Sequence, residues 1–158
     1  MTYIETRNRK IEHLVKSSIS DFCQLCSASY EIEEGIIIVS DNDGSPSFYV
    51  YAEYNENCFE IIVKTFVYDN LPLSETMKLR EVYRADNIIN FLSDNKMLLH
   101  FYEEDHLLTA YSFEWDYKNY ALLKSKLIIE IYTQLQNASE IRQALGELLE
   151  EGAVVGAN

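Results

Sequence analysis

The chain has 158 residues, a net charge of −13 and a hydrophobic fraction of 47%. This length suffices for one domain with a core of its own, without disulfides or metals to hold it. The acidity argues against nucleic acid and anionic membranes as partners, since both would be repelled. No apolar run approaches the ~20 residues of a membrane span, and the first ten residues lack the apolar stretch of a secretory signal.

The cysteine content and the charge distribution point to a cytoplasmic protein with protein partners. Cys23, Cys26 and Cys58 are too few, and odd in number, for a disulfide framework, which favours a reducing compartment. Between Lys16 and Lys64 the chain carries nine acidic residues and no Lys or Arg. The acidity is interpreted first as a means of solubility, and alternatively as attraction of a basic protein partner.

The first half of the chain predicts one helix and three strands. Apolar residues at three- and four-residue steps predict a helix over residues 3–29, followed by an acidic link that ends at Gly35. Four consecutive β-branched residues, 36–39, predict a strand buried on both faces. A turn over 41–46 leads to a hairpin of two aromatic-rich strands, 48–54 and 58–68, joined by Asn55-Glu56-Asn57.

The second half predicts a helix, a hairpin and a long final helix. Ser74 is a suitable N-cap for a helix over 74–92, whose apolar pattern is weak in its middle. Strands over 97–103 and 106–115 form a second hairpin. After Asp116 as N-cap, apolar residues recur about every 3.5 residues. This pattern continues across Asn137 and predicts one helix of about 33 residues, roughly 50 Å long.

The element order is therefore α-βββ-α-ββ-α, which predicts an α+β fold with an antiparallel five-stranded sheet flanked by helices. We expect a single domain over residues 1–151 and a disordered tail over 152–158. The final helix is longer than a domain of this size needs to cover its own sheet. Its C-terminal end is therefore expected to protrude and meet a partner.

One face of the central hairpin is clearly core, and the other is amphipathic. Phe59, Ile61 and Val63 alternate with Glu60, Ile62 and Lys64, and a face open to water would be more uniformly polar. The second face is therefore expected to be partly covered, by the protein's own N-terminal helix, by a second subunit or by a ligand protein. The residues of this candidate protein-binding surface are Tyr49, Tyr51, Ile62, Phe66 and Tyr68.

The Cys23-Gln-Leu-Cys26 motif could indicate a redox or zinc site, but its context favours ordinary buried cysteines. The motif lies inside an amphipathic helix, beside Asp21 and Phe22, and has no second cysteine pair. A reactive thiolate is usually found at a helix N-terminus or beside a cation.

No other motif predicts a catalytic, cofactor or metal site. His13, His100 and His106 have no His or Cys at ligand spacing. Asp41-x-Asp43-Gly44 resembles the start of a calcium loop, but Ala52 stands where the distal Glu would be. The acidic hairpin tip at 102–106 could bind a cation, although solvated turn carboxylates are the favoured interpretation. Phosphate loops and nucleophile elbows are absent from the sequence.

The element order and several local patterns resemble the YbjN family, within the type III secretion chaperone-like fold. The patterns are Leu71-Pro72-Leu73, the helical segment 84–91 (Arg-Ala-Asp-Asn-Ile-Ile-Asn-Phe) and Trp115-Asp116 before the closing helix. They lie between residues 45 and 149. The resemblance implies a non-enzymatic, often dimeric fold that binds segments of other proteins or acts in regulation. It carries over no functional residue.

Three hypotheses of function follow. The first is a non-enzymatic, chaperone-like or regulatory protein-binding module, homodimeric and without cofactor. The second is an acidic immunity-type inhibitor of a basic toxin, which would act by electrostatic capture. The third is a small-molecule-binding protein or hydrolase, which requires a pocket in which polar groups such as His100, Tyr102 and Tyr111 converge.

Overall fold

The computed structural model describes residues 2–156, with side chains described over 2–152. Six strands form one open antiparallel sheet in the order β1-β2-β3-β4-β6-β5. The α+β class is confirmed, whereas the five-stranded sheet is wrong. The elements are α1 (Tyr3–Cys26), β1 (Ser29–Glu33), β2 (Ile36–Ser40), β3 (Pro46–Tyr54), β4 (Cys58–Tyr68), α2 (Leu73–Val82), α3 (Asp86–Asp94), β5 (Leu98–Tyr102), β6 (His106–Asp116), a 3-10 helix (Tyr117–Leu122) and α4 (Leu123–Gly156).

The additional strand is β1, in the region predicted as the end of the first helix and an acidic link. Helix α1 ends at Cys26 because Ser27 adopts a left-handed conformation, with φ of 55°. After β1, Glu34 and Gly35 have φ of 51° and 82°, the conformation of the two-residue turns that join antiparallel strands. The chain therefore folds back at once, and β1 pairs with β2 along its whole length.

Strand β2 is buried on one face rather than on both. Ile37 and Val39 are buried, whereas Ile36 is exposed and Ile38 is half-buried. Successive strand residues point to opposite faces, so a run of β-branched residues does not require two cores. The prediction of burial on both faces is wrong here, because the helices pack on one side of this strand.

The helix predicted over 74–92 is divided into α2 and α3. Ala85 is extended, with ψ of 149°, so the helical geometry stops between Val82 and Asp86. The break coincides with the weak apolar pattern in the middle of the predicted helix.

The long final helix is confirmed in its continuity, although its start differs. Strand β6 runs to Asp116, whose carboxylate accepts a hydrogen bond from the Lys118 N–H at 2.9 Å and so caps the short 3-10 helix. Helix α4 then runs without interruption through Asn137 to Gly156. The predicted tail over 152–158 overlaps this helix to residue 156, and residues 157–158 lie outside the described part.

The chain divides into two compact units, and each is made of two stretches of sequence. Unit 1 comprises residues up to Lys64 together with Ser112–Gln134. Its core joins α1, the first strands and the beginning of α4, with the ring of Phe22 edge-on to Phe48 at 5.5 Å and to Tyr132 at 5.3 Å.

Unit 2 comprises Thr65–Tyr111 and the chain from Leu135 onward. Helix α4 packs into the core of this unit as far as Leu149, so the predicted protrusion is wrong up to that residue, whereas residues 150–152 are exposed. The buried residues of this core are Val67, Leu79, Ile88, Met97, Leu107, Ala138, Ile141 and Leu145.

Candidate protein-binding surface

Strand pairing distinguishes the two faces of the sheet in unit 1. Val39 pairs with Phe48, and Ile37 pairs with Val50, so these residues share one face. Since Phe22 of α1 contacts Phe48, the N-terminal helix covers this side. Ile38 pairs with Tyr49 on the opposite side, which we call the open face. The alternative that the N-terminal helix covers the Tyr49 side is therefore wrong.

Three of the five predicted surface residues lie on the open face of unit 1. Tyr49 and Tyr51 are half-buried, whereas Ile62 is 8% exposed. The ammonium group of Lys64 lies 5.8 Å from the centre of the Tyr51 ring, a cation–π arrangement. The two tyrosines and Ile62 thus contribute an amphipathic surface rather than a fully exposed apolar patch.

Acidic side chains surround these aromatic residues on the open face of unit 1. Glu31 pairs with Ile38, and Glu33 pairs with Ile36, which places both carboxylates on that side. By the alternation of strand residues, three further glutamates share it. These are Glu53 in β3, Glu60 in β4 and Glu114 in β6. Lys64 is the one Lys or Arg on the strands of unit 1, so the face is strongly negative.

The other two predicted surface residues, Phe66 and Tyr68, belong to unit 2 and have different surroundings. The Phe66 ring is edge-on to His106 at 5.6 Å, and Tyr102 stacks on His106 at 6.2 Å. Tyr68 instead contacts α4: its hydroxyl donates to the Arg142 carbonyl at 3.4 Å, and the Arg142 guanidinium lies 4.9 Å from its ring centre. Burial raises the pKa of Tyr68.

Sequence patterns missed the contribution of β1 and β2 to the open face. Glu31, Glu33 and Ile38 belong to it only because β1 is a strand. The alternation in Ser29-Tyr-Glu-Ile-Glu33, followed by Glu-Gly, was the available signal. Because residues 30–35 were predicted as an acidic link after the helix, these side chains were assigned to no sheet face.

The three polar residues of the hydrolase hypothesis do not converge. His100 pairs with Leu108, and Tyr102 pairs with His106, so both lie on one side of the β5–β6 hairpin. Tyr111 follows Ala110, the partner of Leu98, and therefore lies on the other side, packed against the core of unit 2. The sheet therefore lies between Tyr111 and the other two residues, so the three side chains do not line one pocket.

The hairpin tip of unit 2 brings possible metal ligands together, but the orientation of His106 disfavours coordination. Ligand atoms of Glu103, Asp105 and His106 lie within 4.8 Å of one another. The Asn70 N–H donates to Nδ1 of His106 at 3.4 Å, so the proton of the neutral ring is on Nε2. Nε2 lies 3.4 Å from Asp105 Oδ1. A metal at Nε2 would have to displace this proton.

The two cysteines of the C-x-x-C motif are near the C-terminus of α1 and differ in exposure. Cys23 is buried and Cys26 is exposed, with its Sγ 3.6 Å from the Tyr132 hydroxyl. Burial, followed by the neighbouring Cys26, raises the pKa of the Cys23 thiol. This environment is the reverse of the one that activates a thiolate.

Alkylation is expected to distinguish the two thiols. Iodoacetamide at mildly alkaline pH should modify Cys26 rapidly in the native protein and Cys23 only after unfolding, because a buried thiol with a raised pKa is rarely deprotonated. Peptide mass spectrometry over a time course gives both rates. Equal rates in the folded state would contradict the burial of Cys23, and the urea-unfolded protein is the control.

Among residues 2–156, no helix is both long and apolar enough to cross a bilayer. No protein-family model, no curated protein and no solved structure matches this chain.

Proposed function

We propose that the protein is a cytoplasmic, non-enzymatic protein-binding module that captures a basic segment of another protein on the open face of unit 1. The observation that carries the proposal is the interleaving of Tyr49, Tyr51 and Ile62 with glutamates on one sheet face. Aromatic anchors supply affinity when buried, and complementary charge supplies orientation and a fast encounter.

The charge of the face determines which partner it suits. A segment with Lys or Arg between apolar residues could place its cations at Glu31, Glu33 and Glu53 while its apolar groups cover the tyrosine rings. A second copy of the chain would bring like charges together across the same face, which is unfavourable. The homodimer implied by the family resemblance would therefore have to use another surface.

A basic amphipathic peptide of alternating Lys and Leu tests the proposal, with a Glu-Leu peptide of the same length as its control. We expect the basic peptide to perturb amide resonances of β1–β4 and the acidic peptide to leave them unchanged. Replacing Tyr49 and Tyr51 together with Ser should abolish the perturbation without unfolding the protein, because the anchors are lost and the opposite, core-forming face is untouched. An unchanged affinity would count against the proposal.

Charge reversal provides a second readout with a matched control. The double variant Glu31→Lys/Glu33→Lys should lower the affinity for the basic peptide by about tenfold or more. Glu81→Lys/Glu140→Lys makes the same change of net charge at exposed positions outside unit 1 and should have little effect. Equal losses in the two variants would indicate only non-specific attraction by net charge.

The chaperone-like and immunity-type roles share this recognition chemistry and differ in the state of the partner. A chaperone-like module binds an extended segment, whereas an immunity-type inhibitor binds a folded basic protein and blocks its activity. The acidic open face is compatible with both. Inhibition of a folded basic nuclease, lost in the Glu31→Lys/Glu33→Lys variant, would select the second role.

A further inference from the structure

A cavity of about 520 Å³ lies in unit 1 between α1 and the strands β1–β3. Ile37 and Val50 contribute to its lining, and they lie on the face opposite to the open face. Val15 of α1 and Ala52 of β3 add apolar surface, and Ile32 of the edge strand is 46% exposed beside it. The cavity is thus an incompletely filled part of the layer between helix and sheet.

Cationic side chains of α1 line the same cavity. Arg9, His13 and Lys16 follow one another at four- and three-residue steps, so they lie along one side of the helix. Within residues 2–152, none of them forms an ion pair with a carboxylate. Glu12 also lines the cavity, and this carboxylate contributes, after burial, to the raised pKa of the Tyr54 hydroxyl.

The lining of the cavity contains two permanent cations, Arg9 and Lys16, and one carboxylate, Glu12. The cavity is therefore locally positive, although the net charge of the chain is −13. The overall charge of the protein repels anions, so an anion can bind only where cations are concentrated, as they are here. The apolar side chains of the lining favour a ligand whose remaining part is apolar.

We propose that this cavity binds a straight-chain fatty carboxylate, with its acyl chain between α1 and the sheet and its carboxylate at Arg9 and Lys16. The volume lies within the range of small-molecule pockets, about 300–1,000 Å³, and suits a single acyl chain. Guanidinium binds carboxylate through two parallel hydrogen bonds, and Lys adds a point charge. The apolar lining from Ile37, Val50 and Ala52 lies on the sheet face opposite to the proposed peptide surface. Tyr51 also contributes to the lining, so the two sites adjoin at this residue.

A chain-length series measures the apolar part of the site. Calorimetric titration with butanoate, hexanoate, octanoate and decanoate, all below their micellar concentrations, should show affinity rising about fourfold for each methylene until the cavity is filled. Decanol, with the same chain and no charge, should bind about tenfold more weakly than decanoate. Affinity independent of chain length, or equal binding of the alcohol, would overturn the proposal.

Variants test the named residues. The double variant Arg9→Gln/Lys16→Gln should lower the affinity for decanoate by about tenfold or more. The control Lys10→Gln/Lys78→Gln removes the same charge outside the cavity and should leave this affinity unchanged. Ala52→Phe should block binding by filling the cavity, and circular dichroism should confirm that each variant is folded. The surface charge variants keep the test decisive if Ala52→Phe misfolds. Equal effects of both charge pairs would exclude the site.

Vesicles distinguish a free fatty carboxylate from a lipid surface carrying the same anion. Vesicles of neutral phospholipid containing oleate should not sediment the protein, because its net charge opposes approach to an anionic surface. Sedimentation with these vesicles, without binding of free decanoate, would contradict the cavity as the binding site.

Discussion

Replacing Phe48 with Ala is expected to lower the free energy of unfolding by about 3–5 kcal/mol. Phe48 is fully buried in β3, and its ring is edge-on to Phe22 of α1. Truncation removes the apolar surface that joins helix to sheet and leaves a cavity that the rigid strand closes only partly. Urea denaturation monitored by circular dichroism measures the change.

Tyr49→Ala is the matched control, since it removes a neighbouring ring from the opposite face. Tyr49 is half-buried, so its loss should cost about 1 kcal/mol. Comparable losses for the two variants would show that the two faces are equally buried, contrary to the assignment of the open face.

Replacing Leu145 with Ala is expected to cost about 2–5 kcal/mol, because the side chain is fully buried in the core of unit 2. The result is diagnostic for α4. A protruding helix end would tolerate the change, whereas a helix packed in a core with Val67 and Leu107 would not. Thermal unfolding and amide hydrogen exchange of unit 2 provide the measurement.

Glu147→Ala, two residues further along α4, is the control for Leu145→Ala. Glu147 is exposed and accepts a long hydrogen bond, 3.4 Å, from Gln143. Its removal should change the free energy of unfolding by no more than about 0.5 kcal/mol. A large effect here, with a small one at position 145, would mean that the helix presents its other side to the core.

The strongest local patterns in the sequence were sufficient for most of the elements. Residues 58–68 alternate except at Ile62, and α4 keeps its apolar phase over many turns, so these two predicted elements were recovered. Strand β1 was missed because it is short and largely exposed, and because it follows a helix with only two residues between them. Its identity depends on pairing with β2, a tertiary fact.

The candidate surface was predictable only in part. Alternation placed Tyr49, Tyr51 and Ile62 on one face, but it could not tell which face α1 would cover. The cavity at Arg9 and Lys16 was not predicted, since its cations come from α1 and its apolar lining comes from α1 together with β1, β2 and β3. Sequence periodicity describes one element at a time, whereas such a site arises where several elements meet.

The interleaving of the two units along the chain has a consequence for how the protein folds. Unit 1 is completed only when Ser112–Gln134 joins the N-terminal residues, after the 47 residues of Thr65–Tyr111 have been synthesised. Closing a loop of that length costs on the order of 3 kcal/mol in chain entropy. The N-terminal 64 residues should therefore remain incompletely folded on the ribosome, and refolding should be slow because it depends on contacts between distant parts of the chain.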